Sequence, residues 1–168
     1  SQDSALYIET RGNYHDKQIL GIAISNETGN YFIESCDITN IKVNKDVVLY
    51  TYDLKKLYIL FKYNGIVLDN KIYDLMLESY ILNYKIKEDI AYLMNICGSA
   101  SISVDEILRR KSKLKKEDFI SNMINKSSFI YENRTKFYEE LKDEGYLKLY
   151  EDIDLKLTYV LIDMEYTG

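Results

Sequence analysis

The chain has 168 residues and a mass of 19.8 kDa, which is enough for one domain with a sizeable core. Its hydrophobic fraction of 46% is that of a globular protein, and no apolar run is long enough to suggest a membrane span. The net charge of −5 disfavours a chain whose whole surface binds nucleic acid, although a local basic patch could override it. Two isolated cysteines, Cys36 and Cys97, lack the spacing of a metal site and favour a reduced, cytoplasmic setting.

The first fifty residues alternate between apolar and polar side chains, as half-buried strands do. Four strands are predicted: Ala5–Thr10, Ile19–Ser25, Tyr31–Glu34 and Val47–Tyr50. A turn signal at Glu27–Asn30 separates the second strand from the third, and the connections are short. We therefore expect the first three strands to form an antiparallel meander.

From residue 53 onward the hydrophobic period becomes helical. Asp53 and Asp74 are predicted to be N-caps of two helices, with Asn64-Gly65 ending the first of them. A short fifth strand, Lys71–Tyr73, precedes the second helix. Three later helical regions are predicted: Lys87–Ile96, Val104–Arg110, and Glu117–Asp143 with a possible break. Strands first and helices later indicate an α/β fold, a mixed five-stranded sheet covered by helices.

The last stretch, Leu147–Met164, also predicts a helix. Its apolar residues recur three and four apart, which places them on one stripe: Leu147, Tyr150, Ile153, Leu157, Val160, Leu161 and Met164. Two interpretations stay open, a terminal helix packed on its own core or the start of a neighbouring domain over 146–168. Because the chain lacks an initial methionine and stops directly after this pattern, we expect a piece of a larger protein.

Two stretches of the sequence carry a specific resemblance. The first comprises Asn13–Asp16, Ile19–Ala23, Asn26–Gly29 and Tyr31–Ile33, and the second Tyr52–Lys56, Asn64–Ile66 and Tyr73–Asn83. Together they resemble the 3′–5′ exonuclease (proofreading) domain of bacterial DNA polymerase I, in particular the polymerases in which that domain has decayed. The resemblance implies a ribonuclease H-like fold over 1–145. The terminal Asp163–Gly168 is similar to the beginning of the polymerase region.

Active members of that family hold two metal ions with four acidic residues. Two divalent cations about 3.5–4 Å apart stabilise the attacking and leaving oxygens of the displacement, and such hard cations prefer carboxylate oxygen. The resemblance places two acids at positions i and i+2 of the first strand, where both point to one face. It places the third on the helix after strand four, and the fourth on a late helix with a tyrosine one turn before it.

The chain departs from this pattern at three of the four positions. Tyr7-Ile8-Glu9 replaces the first pair, and a phenol with a pKa near 10 cannot replace a bridging carboxylate at neutral pH. The third position falls at Leu57 and the fourth near Asn125, with Ser121 in place of the tyrosine. We therefore expect no catalytic residue, no metal ligand and no cofactor. Mg or Mn is expected only if displaced carboxylates restore an active exonuclease.

The remaining candidates have simpler interpretations. Glu9, the retained acid, is expected more often to be a solvated or hydrogen-bonded surface group than a relic ligand. His15, the only histidine, has no obvious nucleophilic partner and is assigned to the turn after strand one. Asp53 and Asp74 are better explained as caps than as ligands. Asp53, one turn before Leu57, is nevertheless a conceivable compensating acid.

One segment is strongly basic. Six of the eight residues from 109 to 116 carry positive charge: Arg109, Arg110, Lys111, Lys113, Lys115 and Lys116. They could contact phosphates in a non-specific, salt-sensitive way, or simply form a solvated connection between helices. No aromatic residues are interleaved with them to form a stacking platform.

The leading hypothesis is a vestigial, non-catalytic exonuclease domain that serves as a structural module of a DNA polymerase I in replication or repair. Its expected partners are the polymerase region of the same chain and DNA, the latter bound weakly and non-specifically, with no membrane. The first alternative is an active exonuclease with displaced carboxylates, which predicts at least three acids converging on Glu9. The second is a nucleic-acid-binding module that works through the basic segment.

Overall fold

The computed structural model of the protein describes residues 2–11, 18–110 and 115–167. Its five strands are β1 (Ser4–Thr10), β2 (Ile19–Asn26), β3 (Gly29–Glu34), β4 (Leu49–Thr51) and β5 (Ile72–Asp74). They form one mixed sheet in the order β3-β2-β1-β4-β5. β1, β2 and β3 are antiparallel, whereas β4 pairs parallel to β1 and β5 parallel to β4. This arrangement confirms the predicted five-stranded mixed sheet and its antiparallel meander.

The helices occupy the later part of the chain, with β5 between the first and the second of them, apart from a 3-10 helix at Ser35–Asn40 that precedes β4. They are α1 (Leu54–Tyr63), α2 (Leu75–Ile81), α3 (Ala91–Ile96), α4 (Val104–Arg109), α5 (Lys116–Glu132), α6 (Lys136–Asp143) and α7 (Leu155–Thr167). A π-helical segment, Leu149–Asp154, leads into α7. Among the described residues, no helix combines the length and the apolar character that crossing a membrane requires.

Successive side chains of β1 point to opposite faces of the sheet, and each face carries one hydrophobic cluster. Ala5 and Tyr7 belong to the cluster that α5 completes with Met123 and Ile130. The other cluster joins Leu6 and Ile8 of β1 to α1. The fold therefore has helices on both faces of its sheet, and β1 lies at the centre with every residue buried.

Both predicted N-caps are confirmed. The Asp53 side chain accepts a hydrogen bond from the backbone N–H of Lys56, and Asp74 accepts one from Met76. Asp74 also accepts from the N–H groups of Asp53 and Leu54, so a single carboxyl group serves the start of both α1 and α2. The predicted end of α1 is confirmed as well, since Gly65 has φ +79°, a conformation that favours glycine.

Some predicted boundaries are wrong. The helix expected over Lys87–Ile96 begins only at Ala91, because the Asp89 side chain accepts the N–H of Ala91 and so marks the helix start. The fourth strand extends over Leu49–Thr51 rather than Val47–Tyr50. The suspected break in the long helical region is confirmed between α5 and α6.

The single apolar stripe predicted for the terminal helix is wrong. Tyr150 is buried, but Leu157, Val160, Leu161 and Met164 are all exposed. A single stripe requires an uninterrupted α-helix. The π-helical segment has i→i+5 hydrogen bonds instead, and it therefore rotates all later residues about the helix axis relative to the earlier ones. As a result, residues spaced three and four apart across the two segments do not share a face.

Candidate functional site

Glu9 lies at the end of β1 on the face covered by α5. Its side chain is only 2% exposed, which makes the interpretation of Glu9 as a surface group wrong. The pattern of β1 alone does not reveal that helix α5 covers this end of the sheet. A buried carboxylate requires a partner, because transfer of an unpaired charge from water into a protein interior is costly.

That partner is Lys126 of α5. Its Nζ atom lies 3.0 Å from Oε2 of Glu9, and its side chain is fully buried. The same ammonium lies 3.1 Å from Oδ1 of Asp89. One lysine therefore bridges two carboxylates that come from β1 and from the segment before α3, and we refer to these residues as the Glu9–Lys126–Asp89 cluster.

Asp89 also organises the backbone around this cluster. Its Oδ1 accepts the N–H of Ala91 at 2.9 Å, and its Oδ2 accepts the N–H of Val104, at the first turn of α4, at 2.8 Å. Each oxygen of Asp89 is thus engaged by a backbone donor in addition to the ammonium. The cluster connects β1, α5 and the starts of α3 and α4.

Tyr7 lies two residues before Glu9 on the same face and is 1% exposed. The Nζ of Lys126 lies 5.3 Å from its ring centroid and the Nζ of Lys56 5.6 Å, both within cation–π distance. Burial, followed by the nearby charge of Glu9, raises the pKa of Tyr7 well above its usual value. Its hydroxyl is buried and has no hydrogen-bond partner in the described part of the chain. Tyr7 therefore stays neutral and cannot serve as an anionic metal ligand.

The other two positions that the resemblance implies lie away from Glu9 or offer no acid. Leu57 is fully buried in the hydrophobic cluster on the opposite face of the sheet. Asn125 and Ser121 are exposed on α5, and the α5 residue that reaches Glu9 is Lys126, one position further along. Asp53 directs its carboxyl group to its own helix, where it accepts the N–H of Lys56.

A second group of buried carboxyls lies where β5 meets α2, and we refer to it as the Asp74–Glu78–Tyr150 cluster. The Tyr150 hydroxyl donates to Oε2 of Glu78 at 2.6 Å and accepts the backbone N–H of Asp74 at 3.0 Å. Burial raises the pKa of Asp74 to about 7 and that of Glu78 to about 8. Backbone N–H groups and a phenol thus surround these carboxyls, in place of the ammonium that Glu9 contacts.

Comparisons with known proteins identify the family. The family described as "DNA polymerase I, ribonuclease H-like domain" matches residues 6–133. This chain belongs to that family. Its relatives include DNA polymerase I of Bacillus subtilis, at 30% identity over 98% of this chain, and that of Streptococcus pneumoniae R6, at 27% over all of it. The chain spans about a fifth of the length of both relatives.

A solved structure supports the fold of the family. The chain resembles Brucella melitensis NrnC with a TM-score of 0.76 at 10% identity, and the match covers 99% of this chain and 86% of that one. At such low identity the likeness concerns the fold alone. The expected fold is thereby confirmed, and the family match together with the DNA polymerase I relatives confirms the resemblance to the exonuclease domain of DNA polymerase I.

The residues of this family member do not fit the pair of metal ions that its fold would imply. Lys126 already contacts the one acid retained on β1, and an ammonium beside a carboxylate repels a second cation. The neighbouring position holds a neutral phenol, and Leu57 offers no donor atom. Within residues 2–11, 18–110 and 115–167, no three acidic, cysteine or histidine side chains form a group suited to a metal ion.

The predicted basic segment is only partly described. Lys111, Lys113 and also His15 lie outside the described residues. Arg110 pairs with Glu106 of α4, Lys116 pairs with Glu34 at the end of β3, and both pairs are exposed. The exposed Arg109 and Lys115 flank them. Two of the six candidate phosphate contacts are thus engaged by carboxylates of the domain itself.

Sequence reasoning missed Lys126, although a signal was present. Lys126 is three residues after Met123 and four before Ile130, so it lies on the apolar face of α5. A lysine on such a face indicates a buried, paired charge. No comparable signal in the sequence marks Asp89 as its partner, because the two residues are 37 positions apart and meet only in the folded chain.

Proposed function

We propose that this chain is a non-catalytic exonuclease-like domain of a DNA polymerase I, in which Lys126 replaces the metal ions as the counter-charge of Glu9. The observation that carries this proposal is the buried 3.0 Å contact between these two side chains. In an active site of this type the cation is a divalent metal that binds the reacting phosphate. A lysine ammonium fixed between two carboxylates neutralises charge, but it cannot generate a metal-bound nucleophile.

The acids near Glu9 support the same proposal. A displaced set of ligands would need carboxylate oxygens directed at Glu9, yet Asp89 accepts two backbone N–H groups and Asp53 caps α1. These hydrogen bonds orient both groups for structural roles. The active-exonuclease alternative would require Lys126 to leave a fully buried position and both aspartates to reorient.

A direct nuclease assay tests the proposal. The purified chain is incubated with end-labelled single-stranded DNA and either Mg²⁺ or Mn²⁺, beside the variants Glu9→Ala and Asp105→Ala, the latter removing an exposed acid of α4. We expect no metal-dependent shortening of the DNA by any of the three proteins. Cleavage that disappears in Glu9→Ala but persists in Asp105→Ala would overturn the proposal and favour an active exonuclease.

In the parent protein we propose that the domain buttresses the polymerase region during replication or repair, within the cytoplasm. The support is its membership of the family and the greater length of the DNA polymerase I relatives. Any contact with DNA through the basic segment would be weak and non-specific, because Arg110 and Lys116 are already paired with carboxylates.

A further inference from the structure

Helix α7 carries apolar side chains on two opposite faces. Successive residues of an α-helix are rotated by about 100°. Leu155, Tyr159 and Ile162 therefore fall within one narrow sector, and Tyr166 joins them. Leu157, Val160, Leu161 and Met164 are centred on the opposite side, and we call these four residues the outer face of α7.

The first of these faces is already in use. Leu155 and Tyr159 pack against the hydrophobic cluster that contains α1, and Ile162 is fully buried. The ring of Tyr159 meets that of Tyr58 edge-on at a centroid distance of 5.9 Å, and Tyr166 lies 5.3 Å from Tyr63. The inner side of α7 is thus fixed to α1 by apolar and aromatic contacts.

Among the described residues, none covers the outer face in this way. Its four residues are 43–63% exposed and lie at i, i+3, i+4 and i+7, the spacing of a continuous stripe. A surface helix of a globular protein has one apolar side, whereas a helix that is apolar on both sides is enclosed by packing on both. Contiguous exposed apolar residues of this kind mark interaction sites.

We infer that the outer face of α7 is the docking surface for the polymerase region of the parent chain. The inference rests on the proposed function, and the size of the surface supports a tethered partner. Large aromatic side chains bury about 150–250 Å² each, so four half-exposed aliphatic ones offer at most about 500 Å². That is less than the roughly 800 Å² per partner of a specific interface between separate proteins.

A surface too small for free association can still bind a segment of the same polypeptide. Tethering raises the effective concentration of the partner to the millimolar range, so a weak apolar contact becomes stable. The matched relatives are about five times as long as this chain, which provides the additional polypeptide. A second copy of this chain, held by no tether, would need a larger surface.

The test compares the parent polymerase with this 168-residue chain by hydrogen–deuterium exchange and thermal unfolding. Each is prepared as wild type, as a Val160→Glu/Leu161→Glu double variant, and as a Lys156→Glu control at an exposed polar position of α7. In the parent we expect the double variant to speed amide exchange in α7 at least tenfold and to lower Tm. In the 168-residue chain, where the same residues are exposed, we expect less than a threefold change, and Lys156→Glu should change neither protein.

Two results would overturn the inference. One is a parent polymerase whose α7 exchange is unaffected by the double variant. The other is concentration-dependent dimerisation of the 168-residue chain in sedimentation velocity that the double variant abolishes, which would assign the surface to a second copy. Neither result depends on nuclease activity, so docking and loss of catalysis can fail independently.

Discussion

The Glu9–Lys126–Asp89 cluster and the Asp74–Glu78–Tyr150 cluster each hold two carboxyl groups, but they neutralise them differently. In the first, a fully buried ammonium contacts both acids. In the second, backbone N–H groups and a tyrosine hydroxyl are the donors, and burial raises the pKa of both acids. A fixed cation supplies the opposing charge from within the fold and repels other cations, whereas neutralisation by protons makes stability depend on pH.

The largest effect is expected from Lys126→Met, which leaves the buried Glu9 and the neighbouring Asp89 without their cation. Removal of one partner from a buried ion pair costs about 3–5 kcal/mol of unfolding free energy. Urea denaturation followed by circular dichroism at pH 7 measures the loss. Lys142→Met, at an exposed position of α6, is the matched control and should change stability by less than about 0.5 kcal/mol.

The double variant Glu9→Gln/Lys126→Met sharpens this prediction. If the cost arises from the unpaired charge, removal of the Glu9 carboxylate should recover part of the lost stability. A single Lys126→Met variant that loses less than about 1 kcal/mol would show that the ammonium does not hold the cluster together.

The Asp74–Glu78–Tyr150 cluster should make the free energy of unfolding depend on pH, because burial raises the pKa of its carboxyl groups. Burial raises the pKa of Glu78 from 4.5 to about 8, so the folded state holds a proton that the unfolded state releases. The contribution of Glu78 to the free energy of unfolding is complete below pH 4.5 and is lost as the pH rises toward 8. For one proton, the free energy of unfolding changes by at most about 1.4 kcal/mol per pH unit.

Glu78→Gln should flatten that slope, because an amide has no proton to lose. The measurement is urea denaturation at intervals between pH 5 and pH 9, with Glu144→Gln, at an exposed position, as the control. The difference in stability between Glu78→Gln and wild type should move in favour of the variant as the pH rises. Parallel curves for the two proteins would contradict a protonated, buried Glu78.

The smallest effect is expected from the exposed pair Lys116–Glu34, which provides a baseline for the buried clusters. Its side chains are largely in water, and exposed ion pairs contribute about 0–1 kcal/mol. Lys116→Gln should therefore lower the unfolding free energy by less than about 1 kcal/mol, and less still at high salt. A loss as large as that of Lys126→Met would remove the distinction between buried and exposed pairs.

Much of the fold could be predicted because its signals are local. The alternation in β1, the caps Asp53 and Asp74, and the stop at Gly65 depend on residues a few positions apart. The extent of α3 and the phase of α7 could not be predicted in this way. They depend on the Asp89 side chain and on a π-helical segment, neither of which follows from apolar spacing.

The sequence by itself determined the family, the five-stranded sheet and the absence of an acid at Tyr7 and Leu57, since each follows from residue identity and order. Only the tertiary structure decided what happens to Glu9. Lys126 and Asp89 are far from it in the chain, and their contacts exist because α5 packs across β1 and buries Glu9 and Lys126 beside Asp89. Electrostatic pairing in an interior depends on which groups are buried together, and that is a property of the fold.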